Sequence, residues 1–366
     1  MFLLHSLITG RSQPVSLITI SMMNLSSSTE PATKNLMDPL SSVGQTISAT
    51  FLGLAFLLGA PGNLLVIWII WRHVKPRTHT ILLILHLAAA DLLVLITLPL
   101  WIYSLIYSWV FGEVFCQTVV YVIHVCMYSS IFLITLMSIE RFVAVRYPFV
   151  IQFSRTQNVL DVSLIAAWVL ALLLGVPAIL TQEVSEGVGG AQCLFRNFSS
   201  VAQERTIISL ETIAGFVVPF TIMSICYCLV ASQLRESRFQ DKRKVMLLIA
   251  SLVLAFTLCW LPHHINNIIQ LVCTIQSMDS SCGSDSLTLI AGALVFVSSS
   301  VNPVLYAFAA RRSKVRIRGL KIVRFFQEVA THTKAFRGTS PKEADSEGES
   351  TDREQPLSHT INLRDV

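Results

Sequence analysis

The chain has 366 residues, is 53% hydrophobic and only 13% charged, and carries a formal net charge of +5. A soluble protein of this size carries roughly 25% charged residues, so the soluble, disordered, collagenous and disulfide-framed classes are excluded. The deficit is concentrated, because no Asp, Glu, Lys or Arg interrupts 39–71, 78–90, 92–112, 114–139, 162–182, 212–234, 245–278 or 286–310. A helix crossing a bilayer needs about 20 apolar residues. Most of these runs suffice alone, and the second and third join across the single acid Asp91. The pattern predicts seven spans: an all-α, seven-transmembrane helix bundle over 45–310.

Residues 1–44 read as a flexible extracellular arm. Met1 to Ile20 is apolar but broken by Arg11 and Pro14, which makes a poor signal peptide, and Met22-Met23-Asn24 is an equally good start. Basic residues follow spans 1, 3, 5 and 7: Arg72, Lys75 and Arg77, then Arg146 and Arg155, then Arg235 to Lys244, then Arg311 to Arg324. The alternate loops carry mostly acids. Orientation follows the basic side, so the N-terminus is expected outside and the C-terminus inside. The basic residues then belong to a cytoplasmic face, not to a nucleic-acid site. Glycosylation acceptors at Asn24-Leu25-Ser26 and Asn197-Phe198-Ser199 fall on the expected outer side.

Cys116, at the outer end of span 3, and Cys193, in the loop after span 4, face an oxidising compartment, and a disulfide there would pin that loop over the bundle. Cys273 and Cys282 flank the third outer loop and are an open case. Cys126, Cys226, Cys228, Cys259 and Cys273 lie in or at the ends of apolar spans and read as buried thiols acting as small hydrophobes.

Polar groups within spans are expensive and default to functional candidates. Asp91 has two readings: a packing hydrogen bond to Asn63, or a cation or proton site shared with Ser130, Ser298 and Asn302. Arg141 ends span 3 either as an interfacial anchor or in a switchable ion pair with Glu140. Glu211 stands about 12 Å of helix rise before Pro219, where it faces an open cavity or pairs with His264. Pro99, Pro177, Pro219, Pro262 and Pro303 interrupt spans. In Cys259-Trp260-Leu261-Pro262 the indole adjoins such a break, which is either plain tolerance of proline or a hinge. After span 7, 311–330 mixes cations with Val315, Ile317, Leu320, Ile322, Val323, Phe325 and Phe326, the composition of an amphipathic helix on an anionic inner leaflet. The tail 331–366 is polar, acidic and hydroxyl-rich, too polar to fold alone and suited to phosphorylation.

Taken in order, Gly62-Asn63, Leu87-x-x-x-Asp91, Cys116, Glu140-Arg141-Phe142, Trp168, Pro219 with Tyr227, Cys259-Trp260-Leu261-Pro262 and Asn302-Pro303-Val304-Leu305-Tyr306 resemble the rhodopsin-like G-protein-coupled receptors over about 45–330. The usual acid-Arg-Tyr triplet is here Glu-Arg-Phe. Ile123 stands where resembling amine receptors carry Asp, and Phe296 where opsins carry their retinal Lys. Thr97-Leu98-Pro99 resembles the chemoattractant branch. Within it, Met127-Tyr128-Ser129-Ser130, Ser209-Leu210-Glu211-Thr212 and Trp260-Leu261-Pro262-x-His264-x-x-Asn267 are most similar to leukotriene B4 receptors.

That resemblance implies a plasma-membrane receptor, not an enzyme, with Tyr128, Glu211, His264 and Asn267 lining a lipid pocket. Gln182 and Thr288 replace two arginines of the human-type receptors, and Arg205 is the nearest substitute for them. Glu140, Arg141, Tyr227, Trp260, Pro262, Asn302 and Tyr306 would form the activation switch, and Asp91, Ser130, Ser298 and Asn302 a sodium site, with no other cofactor. Expected partners are a small lipid agonist, a heterotrimeric G protein of Gi or Gq type, arrestin and receptor kinases through the Ser/Thr tail, and membrane lipids. The rival readings are a chemoattractant receptor for another lipid or a peptide, and an ion-coupled transporter. Transporters commonly show paired repeats, and this chain has no half-to-half similarity.

Overall fold

The computed structural model describes residues 39–75, 78–147, 154–187, 190–235, 240–276, 285–311 and 321–335. Asn24, Cys282 and the tail beyond Ala335 lie outside the described residues. Seven stretches are helical, long and apolar enough to cross a membrane: Val43–His73, His79–Ile106, Glu113–Arg146, Asn158–Thr181, Val201–Ser232, Ile249–Ile275 and Ser286–Phe308. Their helices are α1 (Pro39–His73), α2 (His79–Leu95) with α3 (Leu98–Ile106), α4 (Glu113–Arg146), α5 (Ser154–Thr181), α6 (Val201–Thr212) with α7 (Val218–Arg235), α8 (Gln240–Ile275) and α9 (Asp285–Arg311); α10 (Lys321–Ala335) follows.

Two spans are irregular at proline, one turned and one widened. Pro99 has no N–H to continue a helix, and the chain turns between α2 and α3. There the Thr97 hydroxyl donates to Val94 O at 2.7 Å. In span 5, Ile213–Val217 widens to a π-helical turn between α6 and α7. The ring of Pro219 would meet the carbonyl of Gly215, four residues back, and a wider turn relieves that approach.

The packing surfaces are small where helices come closest. A Cβ on Gly59 would lie 2.7 Å from Ser300 Cβ, and one on Gly62 2.8 Å from Pro303 Cβ, so α1 lies directly on α9. Asn63, fully buried, donates to Gly59 O and Ser299 O at 3.0 Å each, tying these two helices together. The main core runs through Ile69, Ile84, Leu87, Ile131, Met137, Phe256 and Tyr306.

The structure departs from the sequence reading in four places. A two-stranded antiparallel hairpin, β1 (Gln182–Gly187) and β2 (Gly190–Arg196), follows α5, so the fold is not purely helical. The helix after span 7 covers Lys321–Ala335 among the described residues, five residues past the expected 330; Arg311 ends α9, and 312–320 lie outside the described residues. Its apolar side is covered by protein. Phe325, Phe326, Val329 and Ala330 are buried, Phe326 lies edge-on to Tyr306, and Gln327 donates to His73 O. Cys228 is exposed, whereas Cys126 and Cys226 are buried.

Overpacking a tight helix contact costs about 1–3 kcal/mol. Gly59→Ala is therefore expected to lower the melting temperature of the detergent-solubilised protein. Gly53→Ala, where an added Cβ meets nothing within 4 Å, should leave it unchanged.

Candidate functional site

Helices α4, α6, α8 and α9 and the end of the hairpin enclose a cavity of about 180 Å³. Its walls are mostly apolar: Ile123 and Met127 on α4, Trp260 on α8, Val295 and Phe296 on α9. Three of these helices and the hairpin bring polar groups to the same space. Tyr128 comes from α4, Glu211 from the last turn of α6, His263 and His264 from α8, and His124 and Arg196 from α4 and β2. Gly215, in the π turn, keeps the wall open: a Cβ there would lie 3.3 Å from the Tyr128 ring. His264 is 2% exposed, and neither ring nitrogen has a hydrogen-bond partner. Its ring stacks between Phe216 at 4.8 Å and Trp260 at 5.7 Å. Buried polar atoms are normally satisfied, so this orphaned imidazole, facing a cavity, is what a ligand donor or acceptor would complete.

The expected pairing of Glu211 with His264 does not form. Glu211 accepts from Arg196 Nη1 at 2.6 Å, and Arg196 Nη2 lies 2.9 Å from His124 Nε2. Among the residues lining the cavity, Arg196 is the one Lys or Arg. Arg205, the cation expected there, is turned away and donates to Thr274 O at 2.5 Å. Its position on the outward turn of α6 points it at α8. Asn267 is buried with its Nδ2 unpartnered, but it is not among the lining residues. His263, adjacent to His264, lines the cavity as well, with ring centroids 5.1 Å apart.

The hairpin reaches the cavity because Cys193 is bonded to Cys116 at the start of α4. Gln182 reinforces this by donating to Cys193 O at 3.1 Å, so the residue that stands for one absent arginine is spent on the hairpin backbone. Thr288 donates to Asn266 Oδ1 at 3.3 Å. Asn197 is exposed just after β2, as a glycosylation acceptor must be, and its Nδ2 donates to Glu183.

Below this cavity lies a second, of about 10 Å³, room for a single small ion or water. Trp260 and Met127 line both. Asp91 accepts from Ser130 Oγ at 3.1 Å and from Asn302 Nδ2 at 2.6 Å, whereas Asn63 bonds Gly59 O and Ser299 O instead. Ser298 lines the same space and accepts from Trp260 Nε1 at 3.3 Å. A carboxylate with hydroxyl and amide oxygens is a hard donor set, suited to a hard cation. Among the described residues no cluster of three His, Cys, Asp or Glu could hold a metal ion.

At the opposite end of α4, Thr80 stands between Glu140 and Arg141. Its hydroxyl donates to Glu140 Oε1 at 2.9 Å and accepts from Arg141 Nη2 at 2.7 Å. His79 adds a nitrogen 3.7 Å from Glu140 Oε2. Sequence reasoning missed His79, Thr80, His124 and Arg196. Of these, only Arg196 carried a signal, as a lone base in a loop otherwise acidic. Tyr306 is fully buried with its hydroxyl unpartnered, Pro262 lies inside α8, and Tyr227 is exposed on α7.

Comparison with known proteins places these features in a family. The profile described as "7 transmembrane receptor (rhodopsin family)" matches residues 62–306. The chain is 34% identical to human leukotriene B4 receptor 1 over 269 residues, 72% of this chain and 76% of that one. It is 38% identical to human leukotriene B4 receptor 2 over 271 residues, 71% and 75% of the two chains. Zebrafish apelin receptor A is 34% identical over 278 residues, 70% and 76%.

A disulfide loop of this kind contributes roughly 2–4 kcal/mol. Cys116→Ser and Cys193→Ser should each lower thermal stability by such an amount, and the double variant should be no worse than either single. Additive losses would show that the two sulfurs act independently.

Proposed function

We infer that this chain, which belongs to the rhodopsin family of seven-transmembrane, G-protein-coupled receptors, is a receptor for leukotriene B4 or a closely related hydroxylated fatty acid. The observation that carries the reading is the apolar cavity into which Tyr128, Glu211 and His264 converge, with the His264 nitrogens buried and unpartnered. An acyl chain fits the walls, and its hydroxyls fit the polar groups. The similarity to two leukotriene B4 receptors supports the same ligand class. Asn267, one turn beyond His264, would join the site if the ligand reaches higher.

The mechanism is a population shift, in which a ligand favours the state it binds more tightly. Ligand bonded to Tyr128, Glu211 or His264 bears on Trp260, the wall shared by the two cavities. Asp91, Ser130, Ser298 and Asn302 would hold a sodium ion that stabilises the resting state. Movement of α8 about Pro262 would then release Arg141 from Thr80 and let Tyr227 and Tyr306 rearrange to admit a G-protein α subunit of Gi or Gq type. The basic ends of the bundle face the cytoplasm, the N-terminus lies outside the plasma membrane, and arrestin and receptor kinases read the tail. A second reading, a receptor for another lipid or a peptide, draws on the equal identity to an apelin receptor.

The test is G-protein activation across a leukotriene B4 series in transfected cells. A nanomolar-range response is expected, weakened about tenfold, roughly 1.4 kcal/mol, by Glu211→Gln. A silent wild type, demonstrably at the surface, would refute the ligand assignment. Thr80→Val, which removes the hydroxyl between Glu140 and Arg141, should raise ligand-independent signalling; basal activity at or below wild type would mean that Thr80 does not restrain Arg141.

A further inference from the structure

Three facts about charge in this cavity stand together. Gln182 and Thr288, at positions where the resembling human-type receptors carry arginine, are neutral and engaged with Cys193 O and Asn266. Arg205 bonds the backbone of α8. The remaining cation is Arg196, which lines the cavity from the end of β2.

Its guanidinium is fixed from three directions. The backbone at Arg196 is paired in register with Gln182, the first residue of β1. Three residues earlier, Cys193 is bonded to Cys116 of α4. The side chain itself is held by Glu211 through Nη1 and by His124 through Nη2. Arginine presents five N–H donors in a rigid fork. Two are engaged in these bonds, so the head is oriented while donors remain for another acceptor.

We propose that Arg196 is the specificity-determining residue of this receptor, the group on which the carboxylate of a fatty-acid ligand docks. This rests on the lipid-receptor reading above and names the residue that selects an acid over a neutral lipid. The apolar walls of the same cavity are Ile123, Met127, Val295 and Phe296, with Trp260. An amphiphile with its anionic head on Arg196 therefore lays its chain along them and its hydroxyls beside Tyr128 and Glu211. Glu211 has two roles: it holds the guanidinium in the resting cavity, and it accepts a ligand hydroxyl once the carboxylate shares Arg196. A charge-assisted, bidentate contact of this kind is among the stronger polar interactions and is geometrically selective.

The experiment compares leukotriene B4 with its methyl ester in cells expressing the full chain as wild type, Arg196→Gln and Arg196→Lys, with cell-surface levels measured in parallel. The wild type should prefer the acid by about thirtyfold, roughly 2 kcal/mol. Arg196→Gln should close that gap to within about threefold, weakening the acid far more than the ester. Arg196→Lys, which keeps the charge but not the fork, should retain an intermediate gap. An acid–ester gap that survives Arg196→Gln, or an equal loss for both ligands, would overturn the proposal, the second outcome marking Arg196 as a support of the hairpin. A surface-expressed wild type that answers neither ligand would instead overturn the leukotriene reading, and this proposal with it.

Discussion

The hydrocarbon layer offers no water to a free N–H or C=O, and an unsatisfied group there is costly. Most of the structure follows from that one constraint. The backbone must bond within its own segment, which forces seven helices. Side-chain polar groups must find one another, and here they do so across helices: Asn63 bonds the backbone of α9 from α1, and Asp91 on α2 takes donors from Ser130 on α4 and Asn302 on α9. These bonds join α1, α2, α4 and α9 at mid-depth, where apolar packing alone has little reason to prefer one helix rotation to another.

The same constraint makes each helix break informative, since an interrupted hydrogen-bond ladder must be compensated. Thr97 supplies its hydroxyl at the α2–α3 turn, and the π turn before Pro219 widens rather than breaks. That turn ends the run carrying Glu211 and brings Gly215 against Tyr128. Without the bare Cα at 215, this part of the cavity wall would close on the Tyr128 ring. Pro262, inside α8, lies two residues from Trp260, whose indole bonds Ser298 beside the Asp91 site. The aromatic wall of the upper cavity thus belongs also to the lower polar cluster.

The spans were legible because lipid excludes charge so strongly that eight uncharged runs suffice to locate them. The Cys116–Cys193 pair was legible from topology and redox compartment, and the convergence of Asp91 with Ser130 and Asn302 from residue type and depth. The hairpin was not legible: Gln182–Gly187 and Gly190–Arg196 show little of the alternation that marks a half-buried strand, and it is anchored by Cys193 and by pairing with Gln182. Arg196 was lost for the same reason, because a loop residue's reach depends on a register that local pattern does not encode. Arg205 stands one residue from the register of the substitute, about 100° of helix rotation, and bonds the backbone of α8 instead. His79 and Thr80 were invisible against Glu140 and Arg141 because the rotation of α2 against α4 is set by packing, not by any local signal.

Helix α4 carries a member of each polar cluster: His124 beside Arg196 and Glu211, Ser130 on Asp91, and Glu140 with Arg141 on Thr80. At about 1.5 Å per residue the three levels lie roughly 9 and 15 Å apart along one rigid rod. In so dry an interior none of the three can simply lose a partner, because a stranded carboxylate or guanidinium costs more than the bond it gave up. Each level can only exchange one partner for another, a ligand group for Glu211 or a cation for Asn302. An exchange at one level that turns or shifts α4 alters the geometry offered at the other two. Two discrete arrangements of such a rod are therefore favoured over a graded bend, and a group that bound one of them more tightly would shift the population toward it.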